Sequence, residues 1–600
     1  MRRALARVLF AALLAGMVPV VLAQDAERVL RVAFPIAETG FDPQAAGDIY
    51  SNYVQRAIFE PLYEYDYLKR PLAIVPCTAT AMPEVSADGK TYVMHVRPGI
   101  RFADDPAFKG VQRELVAADY AYAIRRILDP AMRSNSIIMV EGRFVGADAV
   151  VAKARETGKF DYDAPIAGIE VVDRYTLKLT LNFADTELLP NLTTTAFGGV
   201  AREVVEAYGD ASGWVMANPV GTGPYRLKDW RRGQRIVLEA SPTYREVRYA
   251  QPDDPADRAM VASLVGRRLP LVPRVEISVI EESNPRMLAF AQKNLDYMAV
   301  PSEMVSRVLD ARNGLRPEFA EQGVRLERGA QPAISYLYFN MEDPVVGGYA
   351  PERVALRRAI GMAYDIDEQI RVIQQGQGAP ATQIIPPGMS GHDPSIGARK
   401  THDVSGARAL LDRFGYKDRD GDGFRELPDG SPLVLHMYST PTVLDRQQDE
   451  LWQRSLNAVG IRTEFSKQKW PDLLKAARLA QLQSWRLGNI STTPEGFGFL
   501  GLLYGPNAGF ANVARFRQPE FDRLYEEARA LPHGPDRTAR IRRMNDVFNA
   551  YSPWVLLAFR DESVLVQPWV KGYKYNATYQ HPWPYLDVDP AARAKARAAR

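Results

Sequence analysis

The chain has 600 residues, 46% of them apolar, which is too many for one hydrophobic core and enough to fill two or three. That composition excludes disordered and fibrous classes. Lys and Arg number 75 against 72 Asp and Glu; Arg2, Arg3 and Arg7 account for the difference, so the rest of the chain is formally neutral and nothing electrostatic points to nucleic acid.

The opening "MRRALARVLFAALLAGMVPVVLAQD" sets those three arginines before an uncharged stretch, Val8 to Ala23, that ends in the small-residue pattern Val21-Leu22-Ala23. This is the pattern of a secretory signal peptide over residues 1–23, and the stretch is shorter than the ~20 residues that cross a bilayer. Gln24 follows and offers no thiol for lipid attachment, which predicts an exported chain that is free in solution and not a lipoprotein. The lone cysteine, Cys77 in "AIVPCTATA", can form no internal disulfide and has no neighbouring histidine, so it is expected to be a buried, small apolar residue.

Further along, "VAADYAYAIRRILDP" repeats Val116, Tyr120, Ala123, Ile124 and Ile127 at helical spacing and stops at Pro130. "RYTLKLTL" alternates, with Tyr175, Leu177, Leu179 and Leu181 on one face, and so does "RVEISVI" with Val275, Ile277 and Val279. Between them "NPVGTGPYRLKDW", Asn218 to Trp230, poses a choice between a phosphate-binding loop and a turn. Its glycines, Gly221 and Gly223, are only two apart and Pro224 follows, so the spacing of a phosphate loop is missing. A turn that leads into a strand is expected, with the glycines supplying unusual dihedrals. "PERVALRRAIGMAYDIDEQIRVI" predicts one helix over 351–373, and "LDRQQDELWQRSLNAVG" a helix ending at Gly460 before the strand "IRTEF". The class is mixed α/β in more than one domain. The basic tail from Pro590 to Arg600 reads as a solvated end.

Motifs of catalysis are sought and not found: no H-E-x-x-H, no G-x-S-x-G, and six histidines scattered from position 95 to 581. One metal pattern is present. In "YKDRDGDGFRELPDG", Asp418, Asp420, Asp422 and Asp429 stand at positions 1, 3, 5 and 12 of a calcium loop around Gly423. Asp replaces the bidentate Glu at position 12, Arg425 occupies an apolar position, and a strand-like "SPLVLHMY" follows. An acidic hairpin rim without metal is therefore the expectation, and no cofactor is called for.

"NPVGTGPYRLKDW" resembles the signature of the extracellular solute-binding proteins of the oligopeptide and dipeptide class, family 5, which serve ABC importers. The resemblance extends in order through "FDPQAAGDIYSNYVQRAIFEPLYEYD", "SADGKTYVMHVRPGIRFADD", "ISYLYFNMEDP", "RVALRRAIGMAYDID", "GYKDRDGDGFREL", "QPEFDRLYEEA" and "LVQPWVKGY", which covers nearly all of the chain after the leader. It implies a bilobal periplasmic-binding-protein fold: two mixed α/β lobes joined by a two-segment hinge, with an extra subdomain in the first. The boundaries would be 24–60, 195–330 and 552–600 for the first lobe, 61–194 for its extra subdomain, and 331–551 for the second lobe.

The same resemblance implies a receptor, not an enzyme. It would take an oligopeptide or peptide-like solute into an interlobe cleft and deliver it, as a monomer, to a membrane permease and ATPase complex. Carried over residue by residue, the ligand contacts would be Asp48, Ile49, Tyr50, Tyr336, Trp470, Arg486, Asn489 and Thr492. Peptide binders of the family place a carboxylate for the α-ammonium where this chain reads Ile490, Ser491, Thr492 and Thr493. A buried ammonium without a counter-charge costs several kcal/mol, so a free-amine peptide would need Asp48 or Glu495 as a substitute. Arg486 is either a ligand-carboxylate contact or a structural salt bridge. A non-peptide solute (an opine, an antibiotic-like compound, a tetrapyrrole) or a secreted hydrolase are the alternatives.

Overall fold

The strands predicted from alternation form, and they form for the expected reason. In a computed structural model that describes residues 28–598 except 71, 311–312, 397–401, 492 and 580–581, Val275 and Ile277 are wholly buried on the strand Arg274–Val279. The predicted leader lies outside the described residues. Among the described residues no helix is long and apolar enough to cross a membrane.

The chain divides into two units. The first comprises Met1–Val300, Arg312–Glu327 and Val564–Arg600, the second Pro301–Ala311 and Arg328–Ser563. Two long strands, Arg325–Phe339 and Trp554–Val566, each begin in one unit and end in the other.

The core sheet of the first unit runs in the order Val29–Phe34, Arg274–Val279, Arg235–Ala240, Tyr225–Arg231, with only the first pair parallel. A second, antiparallel sheet carries Thr91–His95 and Thr176–Thr180, where Leu177, Leu179 and Leu181 enter the core and Tyr175 is half-buried. The helix Ala117–Leu128 packs Tyr120, Ala123, Ile124 and Ile127 inward, and Pro130 opens a separate short turn. From this helix the buried Arg126 makes a two-pronged ion pair with Asp42 at 2.6 and 3.1 Å, pinning the "FDP" loop.

The turn "GTGPY" corrects one expectation. Neither Gly221 nor Gly223 has a positive φ; the glycines are required by proximity. A Cβ on Gly221 would stand 2.0 Å from the Ile58 carbonyl oxygen, and one on Gly223 would stand 2.7 Å from that of Ala57. The Gly223 N–H donates to Ile58 O at 2.8 Å, so the turn lies directly on the end of the helix Ile49–Ile58. Thr222, between them, donates its hydroxyl to Glu60 at 2.9 Å, and Glu60 is held by both of its oxygens on Arg245 at 2.5 and 2.6 Å. Cys77 is buried beside this pair, its carbonyl accepting from Arg245 at 3.2 Å.

In the second unit the strands run Trp554–Val566, Arg325–Phe339, Ser484–Ile490, Val434–Ser439, Arg462–Lys467, the last three mutually parallel. Tyr336 and Tyr338 enter the core on one face, Leu337 and Phe339 on the other. The predicted helix over 351–373 is interrupted. It forms as Pro351–Ala363, after which Tyr364 turns extended and stacks on Trp452 at 3.7 Å. Asp365 then caps a new turn by accepting from the Glu368 N–H, and Gln369–Ile373 follow in a wider helical turn. The helix Val443–Asn457 ends as predicted, with Gly460 at φ +73° before the strand Arg462–Lys467.

Gly221→Ala is expected to destabilise the protein by about 3 kcal/mol, as overpacking against a fixed backbone does. Gly498→Ala, where nothing approaches the new methyl within 4 Å, should stay within about 0.5 kcal/mol. The urea midpoints of the two variants check this.

Candidate functional site

Parallel strands bring their carboxyl ends to one edge, and in open α/β sheets ligands collect there. In the second unit that edge is Ser439, Lys467 and Ile490, and two helices start at it, Val443–Asn457 capped by Thr442 and Trp470–Arg478. Trp470 opens the second of these and is 51% exposed, with Trp485 beneath it at 6.3 Å between ring centroids. Val443 and Leu444, also largely exposed, begin the first. An edge with a tryptophan and aliphatic side chains left in solvent can hold a flat or apolar group.

The other predicted contacts in this unit are not all at the same place. Tyr336 is buried, stacked on Trp554 at 3.8 Å and 11°, and its hydroxyl donates to Asn489 Oδ1 at 2.6 Å. Asn489 itself is half-buried, and Tyr336, Trp485 and Trp554 belong to one core cluster with the helix that Trp470 begins. Arg486 follows Trp485 on the strand and therefore points to the opposite face. There it is paired with Asp445 and lies 3.9 Å from Asp449, both on the helix Val443–Asn457. Ser439 donates to Asp449 at 2.7 Å, while Thr440 donates to Asp445 from its N–H at 2.8 Å and from its hydroxyl. Burial pushes the Asp449 carboxyl up, opposed by Ser439 and Arg486. The guanidinium thus holds a helix to a strand. The sequence carried a signal for this in the two acids four residues apart in "LDRQQDE". Thr492 lies outside the described residues.

In the first unit Asp48 is the N-cap of Ile49–Ile58. Its Oδ1 accepts from the Ser51 N–H at 2.8 Å, and its Oδ2 accepts from the hydroxyls of Thr39 and Ser51, both at 2.5 Å. Ile49 and Tyr50 are half-buried, Tyr50 tilted against Phe34 at 5.1 Å. Glu495 accepts from Ser390 and lies 3.5 Å from His533. Neither acid proposed as a partner for an ammonium is unengaged.

Close to the "GTGPY" turn a cavity of about 70 Å³ is lined by Glu60, Glu64, Arg56, Arg245, Cys77 and Tyr579, among others. Burial and the neighbouring Glu60 carboxylate push Glu64 up to about 7, against Arg245 and Arg56. Burial also pushes the Cys77 thiol well up, which makes it a poor nucleophile. The acidic loop gathers Asp418, Asp420 and Asp422, with oxygens within 4.8 Å of one another and all three residues exposed. Asp429 is not among them; it accepts from the Ser431 N–H and hydroxyl. Asp418 accepts from the N–H groups of Gly421 and Gly423, and Asp422 pairs with Arg462.

The fold and this edge define a solute-binding architecture of two α/β units. Residues 73–511 match the model of the bacterial extracellular solute-binding proteins, family 5, and the chain belongs to that family. It is 24% identical over 543 residues to heme-binding protein A of Haemophilus influenzae, covering 90% of this chain and 88% of that protein. It is 25% identical over 553 residues to di/tripeptide-binding protein 2 of Pseudomonas aeruginosa, covering 89% and 90%. Among solved structures, the periplasmic binding protein DppA of Helicobacter pylori in complex with the peptide STSA shares the fold with a TM-score of 0.72 at 20% identity, over 94% of this chain and 99% of that one.

Two outcomes are expected. Arg486→Ala leaves the partly buried Asp445 carboxylate without a cation and Asp449 with Lys467 alone, and lowers stability by about 3 kcal/mol in urea unfolding. For Glu64 the folded pKa lies above the unfolded one, so the native state binds the extra proton between about pH 4.5 and 7 and stability falls as pH rises through that window. Glu64→Gln should therefore be more stable than the parent by on the order of 1–2 kcal/mol at pH 8 and indistinguishable from it at pH 4, which thermal melts across pH will read.

Proposed function

We propose that this protein is an exported, periplasmic receptor that captures a peptide or peptide-like solute and hands it, unmodified, to the permease and ATPase complex of an ABC importer, acting as a monomer. The family it belongs to is made up of binding proteins. The single observation in the structure that supports the reading is Trp470: a large aromatic left 51% exposed at the carboxyl edge of three parallel strands, on a rigid helix start and backed by Trp485. Side-chain stacking and backbone hydrogen bonds at such an edge hold an extended peptide with little dependence on its sequence. Relatives named for di- and tripeptides favour the same class.

A second reading, a non-peptide solute such as a tetrapyrrole, is favoured by one specific observation. Asp48 has both carboxylate oxygens engaged within the protein, and Glu495 already accepts from Ser390 beside His533, so neither is a dedicated partner for an α-ammonium. A relative named for heme fits that observation.

Titration calorimetry separates the two. Di- to pentapeptides are expected to bind at micromolar concentrations or tighter, Trp470→Ala to weaken them by about tenfold or more, the equivalent of about 1.4 kcal/mol, and chromatography to recover them intact. Binding of hemin with no response to any peptide, free or N-acetylated, would transfer the assignment to the second reading. Cleavage of a peptide would remove the receptor altogether.

A further inference from the structure

A cavity lies wholly within the second unit, in the groove between the helices Pro351–Ala363 and Pro535–Tyr551 and the start of the strand Trp554–Val566. Its volume is about 550 Å³, within the range of small-molecule sites. Met362, Phe548, Val555 and Leu556 give it an apolar wall.

One cation on that wall, Arg358, is not fully used by the fold. Its neighbour Arg357 is spent entirely on backbone carbonyls, those of Val346, Gly348, Tyr551 and Ser552. Arg358, by contrast, is exposed and engages only Nη2, on the carbonyls of Asn549 and Ala550 at 3.0 and 2.9 Å. The carboxylate on the wall, Asp403, caps the helix Val404–Arg413 through Oδ1, which accepts from the Gly406 N–H at 2.8 Å, and the two arginines Arg357 and Arg358 on the same wall outnumber it.

We infer that this groove is a second ligand site, one for a small amphipathic carboxylate whose apolar body lies against Phe548 and Leu556 while its head takes a charge-assisted hydrogen bond from Arg358. The apolar wall sets the body, and the Arg358 guanidinium sets the sign of the head.

Decanoate, titrated calorimetrically into the purified full chain, is the probe. It should bind with a dissociation constant below about 100 μM, and decyltrimethylammonium, with the same chain length and the opposite charge, should bind at least tenfold more weakly. Arg358→Ala should weaken decanoate about tenfold without lowering the melting temperature appreciably. Saturation with whichever peptide or heme the chain binds should leave the decanoate titration unchanged. Equal binding of both amphiphiles, full affinity in Arg358→Ala, competition by the transported solute, or no heat with decanoate would each overturn the assignment.

Discussion

A steric constraint governs the first unit: the backbone of Gly221 to Gly223 lies on the carbonyls of Ala57 and Ile58, so close that a single methyl group has no room. Much else there follows from this approach. It sets the start of the strand Tyr225–Arg231, whose Tyr225 hydroxyl donates to Val272 O at 3.1 Å and so fixes that strand to the loop before Arg274–Val279. It also carries Thr222 to within 2.9 Å of Glu60, completing the shell of donors around a carboxylate that has been taken out of water. An ion pair such as Glu60–Arg245 is tolerated in an interior only when its remaining lone pairs are satisfied, and the turn contributes that last donor. Glu64 faces the same cavity without the same provision, and its affinity for protons rises accordingly.

In the second unit the governing constraint is the alternation of a strand. Side chains at 485 and 486 must point to opposite faces, so Trp485 supports the aromatic edge while Arg486 is committed to the helix behind it. A guanidinium that two aspartates neutralise offers little to an incoming anion, because a ligand carboxylate would have to displace partners already in place. What the edge retains is aromatic surface, the Asn489 amide and the backbone groups at the strand ends, a set suited to uncharged or modestly polar solutes.

The periodic parts of this fold were legible in the sequence. Leu177, Leu179, Val275, Ile277 and the inner face of Ala117–Leu128 follow from spacing alone, since burial of one face is what the spacing encodes. The membership in family 5 was legible too, from a run of motifs in order. What could not be read were relations between distant segments. The glycines at 221 and 223 looked like dihedral requirements because a packing neighbour 163 positions or more earlier leaves no local trace. The break at Tyr364 depends on Trp452, nearly ninety residues away, whose ring outcompetes continuation of the helix. For Arg486 the sequence leaves two roles open, a ligand contact or a structural salt bridge, and the salt bridge becomes visible only with Asp445 and Asp449 in space.

These details share a physical logic that bears on how a receptor fold changes its ligand. Folding first consumes polar groups: Asp42 on Arg126, Asp48 on its helix cap, Glu60 on Arg245 and Thr222, Arg357 on four carbonyls. Each is charged and would pass for a binding residue if read from sequence, yet each has its hydrogen-bonding capacity filled by the chain itself. Recognition is left to what folding does not consume. Among the described residues of the second unit's carboxyl edge, that remainder includes the exposed ring of Trp470. A scaffold of this kind can exchange a peptide for a planar or acidic solute without moving a strand, because the groups that hold the architecture and the groups that meet the solute are different groups.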